Sequence, residues 1–508
     1  MSDNSRSNKR IAKNTLLLYM RQLLIMVVSL YTSRVVLKAL GVTDFGIYNV
    51  VAGVVTMFSF VMHTMASATQ RYLAYDLAGG DEKRLKETFG LVMITYIVLA
   101  VVTVFLAESV AVWFLNNEMT IPPDRMCAAN WVLQFAILTF LAHIFSAPYL
   151  SVIIAHEQMN VYAYVSVADA ILRLLIVYLL QVFLYDRLIV YSVLMFVSSM
   201  VITLCYMIYC NRRFHESRFS FFYDKNRLYE MTAFAWWNMI GSLANVLRSQ
   251  GINILLNMFF TPAVNAARGI AYQVNSAITS FAHNFYTAAK PQIIKSHACG
   301  EDDRMLKLIT SSSKLAFFLL LLISMPIALN SQYIMSLWLV NPPEYTSLFV
   351  ELVLLNALAE VFSLPLVTGL QATGNIKSLQ LSVSVIYLLN LPISYFFLKM
   401  GYAPETPMII NLALVAVAMV PRLLLCHRFY NLSISKFVVD VLLRVWAVAF
   451  VCYAIGKFLY GDSTDTILRF VIVTIILWVI ILLFALAFGL SSGERKMTIE
   501  MIKSKIRK

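Results

Sequence analysis

Charged residues are scarce in this chain, and their scarcity excludes a soluble protein. Only 13% of the 508 residues are Asp, Glu, Lys or Arg, whereas 60% are hydrophobic. Soluble domains typically contain about 25% charged and about 45–50% apolar residues. Because apolar runs long enough to cross a bilayer recur along the whole chain, we predict an all-α, polytopic membrane protein.

Cysteine is also scarce, and no sequence pattern typical of a cofactor occurs. The six cysteines are scattered, without a CxxC pair or a Cys/His cluster, so neither a disulfide framework nor a metal site is indicated. A glycine-rich phosphate-binding loop is absent from the sequence as well. We therefore expect no metal, no cofactor and no ATPase activity.

Basic residues outnumber acidic ones, which gives a net charge of +13. Nucleic acid is one partner that such a surplus suggests, but the Lys and Arg residues lie in loops between apolar runs. They concentrate in the N-terminal tail, in alternate loops and in the C-terminal tail, which is the positive-inside pattern. We therefore expect no nucleic-acid partner, and we predict that both termini are cytosolic.

The apolar runs predict about fourteen membrane spans, arranged as two six-helix halves and two further helices. The predicted segments are a cytosolic tail (1–14), a first half (15–210), a basic linker (211–228), a second half (229–428), two extra spans (437–490) and a basic cytosolic tail (491–508).

An internal duplication supports these halves. Four short matches recur in the same order at offsets between 217 and 225 residues. They are His63 with His283, Gly79 with Gly300, Trp113 with Trp338, and FSAP at Phe145 with FSLP at Phe362. Since each half holds an even number of spans, both halves have the same orientation, and the pseudo-twofold axis follows the membrane normal.

Three predicted spans carry polar stripes inside apolar sequence. In the seventh span, residues 233–257, the stripe includes Asn238, Asn245 and Asn253, with Arg248 beside it. Steps of three or four residues place such side chains on one helical face. Amides and a guanidinium facing lipid cost several kcal/mol, so we expect this face to line a wet internal space.

The second and eighth spans carry similar stripes. His63 belongs to the stripe of the second span, residues 45–72, and Arg268, Asn275 and His283 belong to the eighth, residues 264–289. Under the duplication the first and seventh spans correspond, as do the second and eighth. The predicted site therefore lies where the two halves meet.

Other charged groups within spans have more than one interpretation. Arg34 lies deep in the first span and is a candidate for lining the cavity. Asp169 and Arg173 are four residues apart, so they can form an ion pair on one face of the fifth span. Asp169 and Glu360, like the two striped histidines, are candidates for binding a coupling proton or cation.

Two stretches near the N-terminus resemble a known family. Residues Ser33–Val54, SRVVLKALGVTDFGIYNVVAGV, and Ser67–Asp81, SATQRYLAYDLAGGD, are similar to the opening of polysaccharide transporters, the Wzx-type flippases for lipid-linked oligosaccharides. These belong to the multidrug/oligosaccharidyl-lipid/polysaccharide exporter superfamily. The resemblance implies a V-shaped bundle with a central cationic cavity that Arg34 helps to line. It also implies a bacterial inner membrane, with polysaccharide polymerases or glycosyltransferases as possible partners.

The striped spans and the resemblance together predict a flippase for polyprenyl-pyrophosphate-linked oligosaccharides. Arginine presents forked donors that match phosphate oxygens, and Asn, Ser and Thr exchange hydrogen bonds with sugar hydroxyls. Arg248 is the first candidate for the pyrophosphate, followed by Arg34 and then Arg268. Transport would proceed by rocking one half against the other.

Three alternatives remain open from the sequence. A drug/cation antiporter of the same superfamily requires cavity carboxylates, which the striped spans lack. A membrane glycosyltransferase or ligase requires a large outer domain or loop, whereas the outer loops here are short, so we expect no enzyme. A non-transporting scaffold of a polysaccharide assembly complex is the third alternative.

Overall fold

The described part of the chain is mostly helical, as the apolar runs predict. The computed structural model describes residues 2–79, 81–156, 158–182, 185–229, 239, 243, 246–339, 341–373, 376–461, 466–491 and 494–495. Over these residues the chain forms helices and contains no strand. The prediction of an all-α, polytopic membrane fold is confirmed.

The chain divides into two compact units, Met1–Gly269 and Ile270–Lys508. The helices of the first unit are α1 (Ser2–Thr56), α2 (Ser59–Gly79), α3 (Glu82–Leu106), α4 (Val112–Asn117), α5 (Met126–Ala155), α6 (Met159–Val182), α7 (Arg187–Arg213) and α8 (Ile252–Phe259). Helix α9 (Pro262–Ala298) begins in the first unit and continues into the second.

The second unit contains the remaining described helices. They are α10 (Asp302–Leu329), α11 (Ser331–Trp338), α12 (Thr346–Glu360), α13 (Ser363–Ala372), α14 (Ile376–Leu388), α15 (Asn390–Lys399), α16 (Thr406–Tyr430), α17 (Ile434–Phe437), α18 (Arg444–Tyr460) and α19 (Ile467–Phe484).

Helix α1 is bent at Gly41, directly after the end of the first predicted span, residues 15–40. Gly41 has φ 80° and ψ 170°, a backbone conformation that essentially only glycine adopts. The chain then continues as helix to Thr56, and α2 starts at Ser59. The second predicted span, residues 45–72, is therefore divided between the end of α1 and the larger part of α2.

Eleven helices among the described residues are long and apolar enough to cross a membrane. Three of the fourteen predicted spans have no full counterpart among these eleven: the second, the seventh and the eighth. These are the three spans that carry polar stripes. The second and eighth form helices, α2 and α9, but their polar residues lower the mean hydropathy. Most of the seventh span lies outside the described residues.

The two predicted halves share a contact at equivalent positions. Cys210 Sγ donates to the carbonyl oxygen of Tyr149 at 3.5 Å, and Cys426 Sγ donates to that of Leu366 at 3.9 Å. Each acceptor directly follows the proline of FSAP or FSLP, and each cysteine lies in the last span of its half. This paired contact supports the duplication, although α5 runs through its proline while the second copy is broken between α12 and α13.

Candidate functional site

The described end of the seventh predicted span begins with one turn of π-helix. Residues Leu247–Gly251 form this turn, which contains the half-buried Arg248, and α8 continues from it. Single π turns inside α-helices occur frequently at functional sites. The turn changes the angular positions of the side chains around Arg248, so the regular stripe predicted from the sequence is offset there.

Arg268 contacts this π turn. Its Nη2 donates to the carbonyl oxygen of Ser249 at 2.7 Å, and the residue is only 5% exposed. A guanidinium in such a position needs hydrogen-bond acceptors because burying a charge without them is costly. The structure therefore brings two of the predicted arginines to one turn, since Ser249 is the direct neighbour of Arg248.

The asparagines that follow the π turn are buried in a hydrogen-bond network. Asn265 Nδ2 donates to both the carbonyl oxygen and Oδ1 of Asn253, at 2.6 and 3.0 Å. Asn257 Nδ2 donates to Asn265 Oδ1 at 3.3 Å, and Asn253 Nδ2 donates to the carbonyl oxygen of Asn49 at 3.3 Å. In this conformation the amide of Asn253 joins α1, α8 and α9 by hydrogen bonds, so its role here is in helix packing.

Two glycines of α1 permit this close packing. A Cβ placed on Gly46 would lie 1.9 Å from the carbonyl oxygen of Pro262, at the start of α9. A Cβ on Gly53 would lie 2.9 Å from Oε1 of Gln250 in the π turn, but this atom ends a flexible side chain, so the restriction is weaker than at Gly46. Both glycines belong to the stretch that carries the family resemblance, so part of that motif has a steric reason.

An arginine that binds two carboxylates anchors the part of α1 that follows the bend at Gly41. Arg125 Nε and Nη2 donate to both oxygens of Asp44, at 2.8 and 2.7 Å, and Nη1 donates to Asp186 at 2.6 Å. Burial alone would raise the pKa of Asp186, but hydrogen bonds from Arg125 and from backbone N–H groups of α7 outweigh it and lower the pKa. The cluster ties α1 to the ends of α5 and α7.

Arg34 occupies a different environment from the other two arginines. It is exposed on α1, and no hydrogen bond or ion pair joins it to another described residue. Asn238, Asn245 and the side chain of His63 lie outside the described residues. The cavity positions assigned to these four residues therefore stay predictions.

The predicted substrate-binding residues of the second unit lie on α9. Asn275 is half-buried, and its Oδ1 accepts no hydrogen bond from the described residues. His283, two turns further along the helix, is exposed. An unsatisfied amide oxygen in a membrane helix has capacity for a hydroxyl donor.

A comparison with protein families decides which family this is. The profile described as "Polysaccharide biosynthesis protein" matches residues 11–297, which is more than half of the chain. The chain belongs to the polysaccharide biosynthesis protein family. The resemblance identified from the two N-terminal stretches is thereby confirmed.

Solved structures show that this polysaccharide biosynthesis protein shares its fold with flippases and exporters. The inward closed conformation of the lipid II flippase MurJ matches with a TM-score of 0.68 at 12% identity, over 93% of this chain and 98% of that one. An inward-facing MATE multidrug transporter of the MOP superfamily matches with 0.61 at 12% identity, over 82% and 96%. No significant match occurs among curated protein sequences.

The acidic candidates of this family member are engaged within their own units. Asp169 Oδ2 accepts from Arg173 Nε at 3.0 Å, which is the predicted ion pair along α6. Glu360, at the end of α12, accepts from the hydroxyl of Tyr387 at 3.2 Å. Among the described residues no group of His, Cys, Asp and Glu forms a site that could hold a metal ion.

Sequence reasoning missed a buried arginine in the second unit. Arg422 of α16 is 4% exposed, and its Nη2 donates to the Tyr387 hydroxyl at 2.9 Å. Its Nε and Nη1 have no partner among the described residues. A charged residue inside the apolar sequence of the twelfth predicted span, 408–426, was the available signal, because an ionisable group within a membrane span marks a candidate functional position.

Proposed function

We propose that this protein translocates polyprenyl-pyrophosphate-linked oligosaccharides across a bacterial inner membrane. The family match over residues 11–297 carries the proposal, because it assigns the chain to polysaccharide biosynthesis while the fold is that of multi-pass flippases and exporters. The MurJ structure, a lipid II flippase by its description, supports a lipid-linked substrate. The sugar units would belong to O-antigen, capsule or exopolysaccharide.

Arg248 and Arg268 supply the chemistry that this substrate requires. A pyrophosphate does not cross hydrocarbon as a bare anion, and a guanidinium offers it two parallel hydrogen bonds. Arg248 is the first candidate for this contact because it is half-buried on a π turn. Arg268 is the positioning residue, since its donor is already engaged with Ser249 of the same turn.

The neutral polar groups suit a substrate that must also leave. Amides such as that of Asn275 exchange hydrogen bonds between water and sugar hydroxyls without a large net free energy. Alternating access would expose the cavity first to the cytosol and then to the other side. The expected partners are polysaccharide polymerases or glycosyltransferases of the same biosynthetic pathway, on either side of the membrane.

The test is a translocation assay in vesicles that contain the purified protein and a lipid-linked oligosaccharide. Arg248→Ala removes a charge-assisted contact, so we expect about a tenfold to hundredfold slower translocation, and Arg248→Lys should retain part of the rate. Arg34→Ala is examined separately. Arg304→Ala is the matched control, because this exposed arginine pairs with Glu301 on the surface.

Wild-type rates in both Arg248→Ala and Arg34→Ala, at normal expression, would exclude the cationic-cavity mechanism. Deletion of the gene separates the proposal from a drug exporter. A flippase defect leaves lipid-linked sugar accumulated on the cytosolic side, whereas loss of a drug exporter leaves it unchanged.

A further inference from the structure

The linker between the predicted halves packs against the first unit as a strap, here defined as residues 214–229, which is extended between Arg218 and Asp224 and helical from Lys225 onwards. His156 Nε2 lies 2.6 Å from Glu216 Oε1, and the His156 ring stacks on Phe214 with centroids 4.1 Å apart. Burial alone would raise the pKa of Glu216, but the hydrogen bond from His156 is the largest of several effects that together lower it. These contacts hold the beginning of the strap.

The middle and the end of the strap are held as well. A Cβ on Gly90 of α3 would lie 2.2 Å from the carbonyl oxygen of Ser220, so the strap backbone rests directly on the helix. Arg227 Nη1 pairs with Glu87 at 3.4 Å. The strap is therefore a fixed part of the first unit along its length.

One side of the fixed strap presents a row of aromatic side chains away from the protein. Phe219, Phe221 and Tyr223 are 50%, 79% and 56% exposed, whereas the intervening Ser220 and Phe222 are half-buried. Alternation with a period of two is the geometry of an extended chain with one face packed. A row of exposed aromatic rings in a soluble environment would be unfavourable.

The strap lies beside the ends of two candidate membrane spans, which is where the membrane boundary is expected. It follows directly after Arg213, the last residue of a candidate span, and it crosses α3 at Gly90, near the start of another. Gly90 is eight residues from the start of α3, which corresponds to about 12 Å of helix rise. Tyr is enriched at this level of membrane proteins because its amphipathic ring suits the headgroup region, and Phe supplies the apolar surface by which interfacial segments insert.

The charges around the aromatic row are mostly positive. Exposed basic side chains flank it at Arg212, Arg213, Arg218 and Lys225. The nearby acids are engaged, since Glu216 contacts His156 and Asp224 Oδ1 accepts from the backbone N–H of Asn226 at 2.9 Å. Clustered cations beside a membrane span attract anionic lipids.

We propose that the strap is an interfacial lipid-binding element, in which Phe219, Phe221 and Tyr223 insert among the headgroups of the adjacent leaflet and the flanking cations bind anionic phospholipids. This interaction is independent of the transported substrate. The interaction attaches this segment to the membrane surface. The segment connects the first predicted half to the seventh span.

The test uses the full-length protein in vesicles and a fluorophore attached to a single accessible cysteine. The exposed Cys127, Cys205 and Cys299 are replaced by Ala, while the buried Cys210, Cys426 and Cys452 remain. An environment-sensitive label is then attached at F221C, at the neighbouring position S220C on the packed side, or at D303C as an aqueous reference. Lipids with a nitroxide on the headgroup or deep on the acyl chain serve as quenchers.

We expect the headgroup nitroxide to quench the F221C label at least about twofold more than the D303C label, and more in vesicles that contain phosphatidylglycerol than in phosphatidylcholine alone. High salt and Arg218→Gln should reduce that difference. Equal quenching at F221C and D303C would overturn the proposal. It would instead favour a soluble protein partner as the molecule that covers the aromatic row. Quenching that does not depend on phosphatidylglycerol would overturn the recognition of anionic lipids.

Discussion

At the scale of single residues, a buried lysine fixes the start of the C-terminal tail. Lys314 of α10 has only 2% of its side chain exposed, and its Nζ donates to Glu494 Oε2 at 2.9 Å. Glu494 also accepts from the Ser311 hydroxyl at 2.7 Å and from the Ser491 backbone N–H at 2.8 Å. Ser491 and Glu494 satisfy each other's backbone donors as in a capping box.

Replacement of Glu494 by Gln should therefore destabilise the second unit. The change leaves the buried Lys314 ammonium without its carboxylate, and breaking such a pair typically costs about 3–5 kcal/mol. We expect a lower thermal unfolding midpoint in detergent at neutral pH. The matched control is Glu301→Gln, because its pair with Arg304 is on the surface and exposed pairs contribute about 0–1 kcal/mol.

The effect of Glu494→Gln should depend on pH. Burial alone would raise the pKa of Glu494, but hydrogen bonds from Ser491, Ser311 and Lys314 together lower it below the ordinary value of 4.5. A carboxylate with a lowered pKa stabilises the folded state above its ordinary pKa and loses that contribution as the pH falls through the folded pKa. A difference between wild type and variant that is equally large at neutral and strongly acidic pH would contradict this assignment.

At the scale of elements, the approach of α1 to α9 depends on the absence of a side chain. The contact between Gly46 and the Pro262 carbonyl involves backbone on the α9 side, so neither partner has a flexible side chain that could move away. The buried asparagines of α8 and α9 hydrogen-bond across the same junction. Helix spacing there is consequently set by sterics as well as by polar contacts.

Gly46→Ala should separate α1 from the start of α9. We expect a loss of stability of about 1–3 kcal/mol, typical of overpacking, together with a reduced translocation rate because the hydrogen bond between Asn253 and Asn49 is stretched. Unfolding midpoints and vesicle transport measure the two effects. Gly41→Ala provides the contrast, since no atom lies near that Cβ and only backbone strain is added. Unchanged stability in Gly46→Ala would contradict the described packing.

At the scale of the whole molecule, the charge asymmetry predicts the side of the membrane on which each loop lies. Two native cysteines can be used to measure on which side of the membrane their loops lie. Cys127 is exposed near the start of α5, on the side predicted to be periplasmic, and Cys299 is exposed after α9, on the side predicted to be cytosolic. Cys205, exposed along α7 within a candidate span, serves as the control for a thiol covered by lipid.

A membrane-impermeant maleimide should therefore modify Cys127 in spheroplasts with an intact inner membrane. Cys299 should react only after the membrane is permeabilised, and Cys205 should react slowly in both conditions because the acyl chains around it exclude a charged, water-soluble reagent. Mass spectrometry of the labelled peptides gives the extent at each site. Modification of Cys299 before permeabilisation would reverse the predicted orientation.

The sequence by itself determined the class of fold, the approximate number of spans, the family and the pairing of near neighbours. Composition and apolar run length predict a helical membrane fold because the bilayer leaves few other ways to satisfy a backbone. The pair of Asp169 and Arg173 was predictable because the helix period places residues four apart on one face.

The tertiary structure alone decided which polar groups contact each other across helices. The stripe of the seventh span indicated a polar face. Only the packing shows that Asn253 forms hydrogen bonds with α1 and α9. It also shows that Arg268 donates a hydrogen bond to the π turn beside Arg248. The periodicity of one helix fixes which face a side chain is on. It contains no information about which helix faces it, because that depends on contacts between residues far apart in sequence.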